Sequence, residues 1–181
     1  EVITGGELLK ITPQIATLFN GLNDCPLMNK YGPTEACVWI TDLKLEGDAT
    51  QWPEIPTIGK PFAHTQIFIL NDKLEMVEDG EVGEICAYGI CVANGYLNAP
   101  DLTAKSFINW KNKNNENLRI YKTGDLGRFL PDGTIEFHGR RDGQVKIRGN
   151  RVELGDIEIA ISHHKGIQQA VVIVREDVPG E

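Results

Sequence analysis

Apolar residues along this chain recur with two periods. After Thr12, Ile15, Leu18, Phe19 and Leu22 fall on one helical face, behind a cap-forming threonine and a proline at the first helical position. A helix over 13–22 is predicted. Shorter runs rich in β-branched and aromatic residues predict strands over 67–70, 82–88, 119–123, 127–130 and 134–138. The last two flank Pro131-Asp132-Gly133, where proline presets φ for turn entry and glycine accepts positive φ, so a hairpin is expected. Pro100-Asp101 opens a second helix over 101–108, and the polar run 109–117 reads as a surface loop. Beyond Gly139-Arg140-Arg141-Asp142 the pattern changes: a strand over 145–147, a helix over 154–164 with Leu154, Ile157 and Ile161 on one face, and a buried strand over 170–174. A domain boundary is placed near Asp142, dividing the chain into 1–141 and 142–181. The opening Glu1-Val2-Ile3 reads as the end of a buried strand, and the chain is expected to be a fragment of a longer one.

Composition narrows the class. With 181 residues, 41% hydrophobic and 24% charged, the chain has apolar material for one sizeable core, or a core plus a small lobe. A net charge of -8 offers no basic patch for a phosphate backbone, so nucleic acid is not expected as a partner. Cys25, Cys37, Cys86 and Cys91 match neither a zinc ribbon nor a redox pair, and are expected as reduced core thiols. With no leader-like or membrane-length apolar stretch, a cytoplasmic protein without membrane association is expected.

Three segments hold candidate chemistry. NKYGPTEACVW, residues 29–39, sets a Gly-Pro turn ahead of a Thr34-Glu35 pair. Such a turn suits a nucleotide: Tyr31 to stack on a base, Thr34 to donate to phosphate, Glu35 to hold Mg²⁺. It also reads as a capped loop with a half-buried tyrosine. In YKTGDLGRFLPDGTIEFHGRRDGQVKIRG, residues 121–149, Asp125 follows a glycine at a strand end, where it could accept both hydroxyls of a ribose or serve as a turn acid. GEICAYGICVANGYLNAPDLT, residues 83–103, reads as scaffolding with glycine turns at 83, 89 and 95.

Taken in order, these segments resemble the motif series of the adenylate-forming superfamily, and in particular the adenylation domains of nonribosomal peptide synthetases. The resemblance rests on the Gly5-Gly6-Glu7 turn, NKYGPTE, GEICAYGICVANGYL, YKTGDLGR and GRRDGQVKIRGNRVELGDIE, and covers nearly the whole chain. Pro33 within YGPTE, and RVELGDIE at 151–158 where acyl-CoA synthetases usually carry a proline before their acidic residue, favour the amino-acid branch over acyl-acid or acyl-CoA ligases. A noncatalytic, degenerate module of the same fold is a further alternative.

The resemblance implies an α/β fold, with the later part of a large core of mixed sheets and a distorted β-barrel, then the start of a small α+β lobe. It implies activation of an amino acid by ATP and Mg²⁺, and transfer to the phosphopantetheine thiol of a carrier domain, usually in the same polypeptide. By resemblance, Gly6, Glu7 and Asn29 lie along the adenine, Tyr31 stacks on it, and Gly5 and Gly32 also belong to the nucleotide-binding set. Thr34 contacts the α-phosphate, Glu35 holds the metal, Asp125 holds the ribose, and Phe137 and Arg140 line the nucleotide, with core packing the other reading of Phe137. Thr34, Glu35 and Arg140 form the implied catalytic set. Ile3, Gly5, Lys30, Val38 and Trp39 are placed on the amino-acid pocket, with Lys30 either pairing with an acidic substrate or packing along its stem. Asp142 is the implied hinge and Gly149 makes room for the thiol arm. His138, His163 and His164 are expected at the surface or in packing. The phosphate loop and the aspartate that anchors the substrate amino group are expected before residue 1, and the catalytic lysine after residue 181.

Overall fold

The computed structural model describes residues 1–22, 24–141, 144–147 and 150–175. The chain divides into two compact units, Glu1–Gly139 and the part from Arg140 onward.

The first unit opens with a crossover. Strand β1 (Val2–Gly5) leads through helix α1 (Pro13–Gly21) into β2 (Leu27–Tyr31), which pairs with β1 in parallel. The Thr12 side chain accepts from the Ile15 backbone N–H, and Pro13 starts the helix, as the sequence predicts. Antiparallel β3 (Thr41–Leu45) and the short β4 (Lys60–Pro61) complete a mixed sheet in the order β1-β2-β3-β4. Helix α1 presses Phe19 onto Leu27, Leu45 and Ala49, closing a local apolar cluster.

A second, antiparallel sheet follows. It comprises β5 (Thr65–Leu70), β6 (Gly83–Gly89), β7 (Phe107–Lys111), β8 (Asn117–Phe129) and β9 (Ile135–Arg140), in the order β5-β6-β8-β7 with β9 also on β8. Both faces of β6 are buried, which explains why Ile85-Cys86-Ala87 reads as a continuous apolar run. Ile67, Ile69, Ile85 and Ala87 point to a cluster shared with Tyr31 of the first sheet and with Ala36, Ile40 and Ile58 of its connecting segments, whereas Leu70, Cys86, Trp110 and Ile120 form a cluster of their own. Each fully buried isoleucine here contributes about 1.5–3 kcal/mol relative to exposure. Helix α2 (Pro100–Ser106) precedes β7.

Several expectations are corrected. The two strands expected over 119–123 and 127–130 are one strand, β8, interrupted by a bulge and not by a loop. The polar run 109–117 is not a loop throughout: β7 occupies its first part, and the turn is confined to 112–116, where Asn112 Oδ1 accepts from the backbone of Asn114 and Glu116. Val2 and Ile3 do lie in a strand, but β1 is at the sheet edge and both are exposed. All four cysteines are free; Cys86 is buried, Cys25 and Cys91 are half-buried, and Cys37 is exposed, not in the core. Burial pushes the Cys86 thiol up, aided by the Glu84 carboxylate, so it stays protonated. The Pro131-Asp132-Gly133 turn forms as expected, with the Thr134 N–H and hydroxyl both donating to Asp132 and holding its carboxyl below the usual range.

In the second unit, β10 (Val145–Ile147) pairs antiparallel with β11 (Asn150–Val152), and helix α3 (Leu154–Ser162) follows. The buried strand expected over 170–174 is absent among the described residues: Val171, Ile173 and Val174 are exposed, and the Val172 N–H donates to Glu158 Oε1. β-Branched residues favour a strand only where a neighbouring strand gives them a surface to pack on. Asp142 and Gly149 lie outside the described residues. His163 and His164 are exposed. No helix among the described residues is long and apolar enough to cross a membrane.

Candidate functional site

Parallel strands β1 and β2 end at the same edge of the sheet, with Gly5 opposite Lys30. The Gly5-Gly6-Glu7 turn and the Gly32-Pro33-Thr34-Glu35 turn therefore leave the sheet side by side, at the carboxyl ends where ligands bind in open α/β sheets. Gly32 is required there by close approach. A Cβ would lie 2.6 Å from the Val38 carbonyl oxygen and 2.8 Å from both the Ile40 nitrogen and the Trp39 Cα. The chain then makes a single 3-10 turn at Thr34–Ala36, and Cys37 and Val38 both take left-handed backbone conformations, φ 58° and 71°. Two successive left-handed residues, one β-branched, are strained, and the strain is held by hydrogen bonds from the Val38 N–H to Pro33 and the Ile40 N–H to Tyr31.

Tyr31 links the two sheets. Its hydroxyl donates to Asp125 Oδ2 at 2.6 Å, both groups are buried, and its ring packs 6.2 Å from that of Phe137. Asp125 reaches this position because of the β8 bulge. Glu84 pairs with Leu126 but Cys86 pairs with Lys122, so Thr123, Gly124 and Asp125 stand opposite Ile85 alone. Gly124 takes φ 74°, its N–H donates to Glu84 Oε1, and Thr123 is pinned through its hydroxyl to the Ile85 carbonyl while accepting from the Asp125 N–H. The segment at 57–59 fixes the spacing: Asn29 Nδ2 donates to the Thr57 carbonyl, and Ile58 and Ile135 are joined backbone to backbone.

Beside this pair lies Glu35. Its carboxylate accepts from the Tyr96 hydroxyl at 2.6 Å, and its backbone carbonyl accepts from the Ala93 N–H. The motif pattern reads the segment around Tyr96 as scaffolding, so this contact is what sequence reasoning misses. The available signal is an aromatic with a polar tip directly after the Asn94-Gly95 turn. Burial raises the Tyr96 phenol, reinforced by the Glu35 carboxylate.

On the other side, Lys30 Nζ sits 5.1 Å from the Trp39 ring and 4.8 Å from the Phe62 ring. The aromatic faces hold the ammonium. The space a Cβ would take at Gly5 is filled by the Lys30 carbonyl, with Trp39 Nε1 3.5 Å away, so the glycine lets the strands approach and is not an open volume. Ile3, Val38 and Trp39 are exposed. Thus Tyr31, Asp125 and Phe137 form one group in the first unit and Gly5, Lys30 and Trp39 another, while Gly32 and Glu35 lie on the turn after β2. Thr34 is exposed on the same turn, and Gly6 and Glu7 follow β1 on the surface. Asn29 is buried, with its amide committed to Thr57. Arg140 ends β9, at the boundary where the second unit begins.

A family model described as AMP-binding enzyme matches residues 1–97, and the chain belongs to that family. Among curated proteins, it is 44% identical over 179 residues to tyrocidine synthase 2 of Brevibacillus parabrevis, covering 99% of this chain and 5% of that one. It is 41% identical over 182 residues to the dimodular nonribosomal peptide synthase of Bacillus subtilis (strain 168), covering 99% of this chain and 7% of that one. Among solved structures it is similar to PA1221, an NRPS protein containing adenylation and PCP domains, with TM-score 0.84 and 32% identity, covering 96% of this chain and 35% of that one. The fold is accordingly the α/β fold with mixed sheets that the motifs imply. The chain thus spans a small part of the curated relatives and about a third of the solved one.

Proposed function

We propose that this chain is the nucleotide-binding and hinge portion of an amino-acid adenylation domain, which forms aminoacyl-AMP and passes the acyl group to the phosphopantetheine thiol of a carrier domain in the same polypeptide. The observation that carries it is the buried Tyr31–Asp125 hydrogen bond beside the Thr34-Glu35 turn, a set that fits one nucleoside and its phosphates. In this reading the Tyr31 ring faces the base, Phe137 buttresses it, and Asp125 exchanges its phenol partner for ribose hydroxyls. Thr34 donates to the α-phosphate as a substrate carboxylate attacks phosphorus and pyrophosphate leaves.

Glu35 suits a hard cation. Mg²⁺ takes one or two protein carboxylates plus phosphate oxygens, and this carboxylate stands on an ordered turn. Bound there, Mg²⁺ would neutralise charge on the phosphates. Arg140, at the end of β9, serves the ribose or phosphate in this reading, Asp142 is the hinge, and Gly149 admits the thiol arm. The core then runs over 1–141 and the small lobe starts at 142, a reading that the compact division near Gly139 supports. The Lys30 site faces the amino-acid side chain, and the lysine held between two rings favours a large side chain with a polar end.

ATP/pyrophosphate exchange on the complete domain, with a panel of amino, aryl and fatty acids, tests this. Exchange dependent on an amino acid is expected, and exchange with a fatty acid alone would overturn the reading. Asp125→Ala should raise the KM for ATP about 10- to 100-fold, because charge-assisted hydrogen bonds are lost, and leave the KM for the amino acid nearly unchanged. An equal rise in both would remove the ribose role.

A further inference from the structure

The segment between β6 and α2 is tied down more heavily than a connecting loop requires. Arg119 of β8 donates from Nη1 to the Ala93 carbonyl and from Nη2 to the Asn94 carbonyl, both at 2.8 Å, and its guanidinium lies 4.9 Å over the Phe107 ring. The Tyr96 N–H donates to Thr103 Oγ1 at 2.9 Å, and the Tyr96 ring packs edge-on against Phe107 at 5.4 Å. From the loop so fixed, two groups reach the 3-10 turn: the Ala93 N–H to the Glu35 carbonyl at 2.9 Å, and the Tyr96 hydroxyl to Glu35 Oε1 at 2.6 Å. Glu35 is therefore gripped at backbone and side chain by a single loop distant in sequence.

We propose that Tyr96 is a positioning residue for the divalent cation of this site, holding Oε1 of Glu35 so that the carboxylate ligates through one oxygen. This role depends on the metal role of Glu35 proposed above. Single-oxygen ligation suits Mg²⁺ and Mn²⁺, which take six ligands at short distance in octahedral geometry. Ca²⁺, larger and of higher coordination number, gains from a two-oxygen clasp that a phenol at 2.6 Å on Oε1 opposes. The hydrogen bond also fixes the carboxylate rotamer before the metal arrives, so the ordering cost is met in folding. Tyr96 thus sets both affinity and the choice between small and large cations.

The test uses the complete adenylation domain, a nonhydrolysable ATP analogue, and Mn²⁺ followed by its electron paramagnetic resonance signal, with Ca²⁺ as competitor. Tyr96→Phe keeps the ring on Phe107 and removes only the hydroxyl. Mn²⁺ affinity should fall about 10-fold, as for other residues that orient a metal ligand. Ca²⁺ affinity should fall less, so that the preference for Mn²⁺ narrows. Unchanged Mn²⁺ affinity in a variant with wild-type circular dichroism and melting temperature would overturn the proposal, as would an equal loss for both ions. Absence of nucleotide-dependent Mn²⁺ binding in the wild-type domain would remove the metal role of Glu35 and this inference with it. Failure of pyrophosphate exchange with every amino acid, alongside normal Mn²⁺ binding, would count against the substrate reading alone.

Discussion

Gly32 shows how a single residue shapes the site. The Tyr31-Gly32-Pro33 backbone runs so close to 38–40 that three backbone atoms stand within 2.8 Å of where a Cβ would be. Backbone atoms cannot rotate aside as a flexible side chain does, so Gly32→Ala must push the strained Cys37-Val38 turn or shift the end of β2. A loss of about 1–3 kcal/mol is expected, the usual range for overpacking, seen as a lower urea midpoint with unchanged slope. The same shift moves Thr34 and Glu35, so nucleotide affinity in the complete domain should fall by more than stability alone explains. A variant with wild-type midpoint and affinity would show that the turn has slack. Gly5 meets the same constraint for a different reason: its neighbour is the carbonyl of the parallel strand, which is why a glycine there serves strand packing before it serves a substrate.

The β8–β9 hairpin carries a charged cluster at the level of the element. Glu136 Oε2 accepts from Arg128 Nε at 2.6 Å and contacts His138 Nε2 at 2.8 Å, and the His138 bond followed by the Arg128 bond holds its carboxyl below its ordinary value of 4.5. A depressed carboxyl contributes stability above its unfolded pKa and loses it as pH falls through the folded value. Glu136→Gln should therefore cost stability at neutral pH and nothing once both states are protonated, well below pH 4.5. With the partners more than a third exposed, the effect is about 0.2–1 kcal/mol and shrinks with salt, as unfolding at pH 7 and pH 3 would reveal. A difference that grew as pH fell would reverse the sign. At this scale the sequence was legible where periodicity and punctuation agreed, as in α1 with its Thr12 cap and the Pro131-Asp132-Gly133 turn. It was illegible at β8, because Gly124 reads as a break while tertiary pairing turns it into a bulge. β7 was hidden because its buried Phe107 and Trp110 lie three apart, on opposite faces, with polar Asn109 and Lys111 among them, so no period-two pattern separates it from a polar loop. The candidate motif residues could be named one by one, but the Tyr31–Asp125 and Tyr96–Glu35 bonds span 94 and 61 residues, so no local pattern pairs the partners.

For the molecule as a whole, the two compact units set the expected division of labour. The first closes three apolar clusters within itself and contains Tyr31, Glu35, Asp125 and Phe137 of the proposed nucleotide site. It should therefore hold the adenosine end of a nucleotide by itself. Chemistry at the α-phosphorus needs more, since a leaving pyrophosphate must be neutralised and an attacking carboxylate aligned, and transition-state charge is stabilised by groups fixed beforehand. The chain covers 35% of the solved relative that carries adenylation and PCP domains, and under the proposed function groups outside these 181 residues are expected to share that work. These 181 residues should accordingly bind adenosine nucleotides weakly, with binding lost in Asp125→Ala, and should show no ATP/pyrophosphate exchange with any amino acid. Equilibrium dialysis with labelled AMP and a standard exchange assay, run on this chain and on the complete domain, separate the two properties. Exchange by the 181-residue chain would mean that the groups on β2, the Thr34-Glu35 turn and β8 suffice for the chemistry, and the role given to the rest of the domain would have to be reassigned.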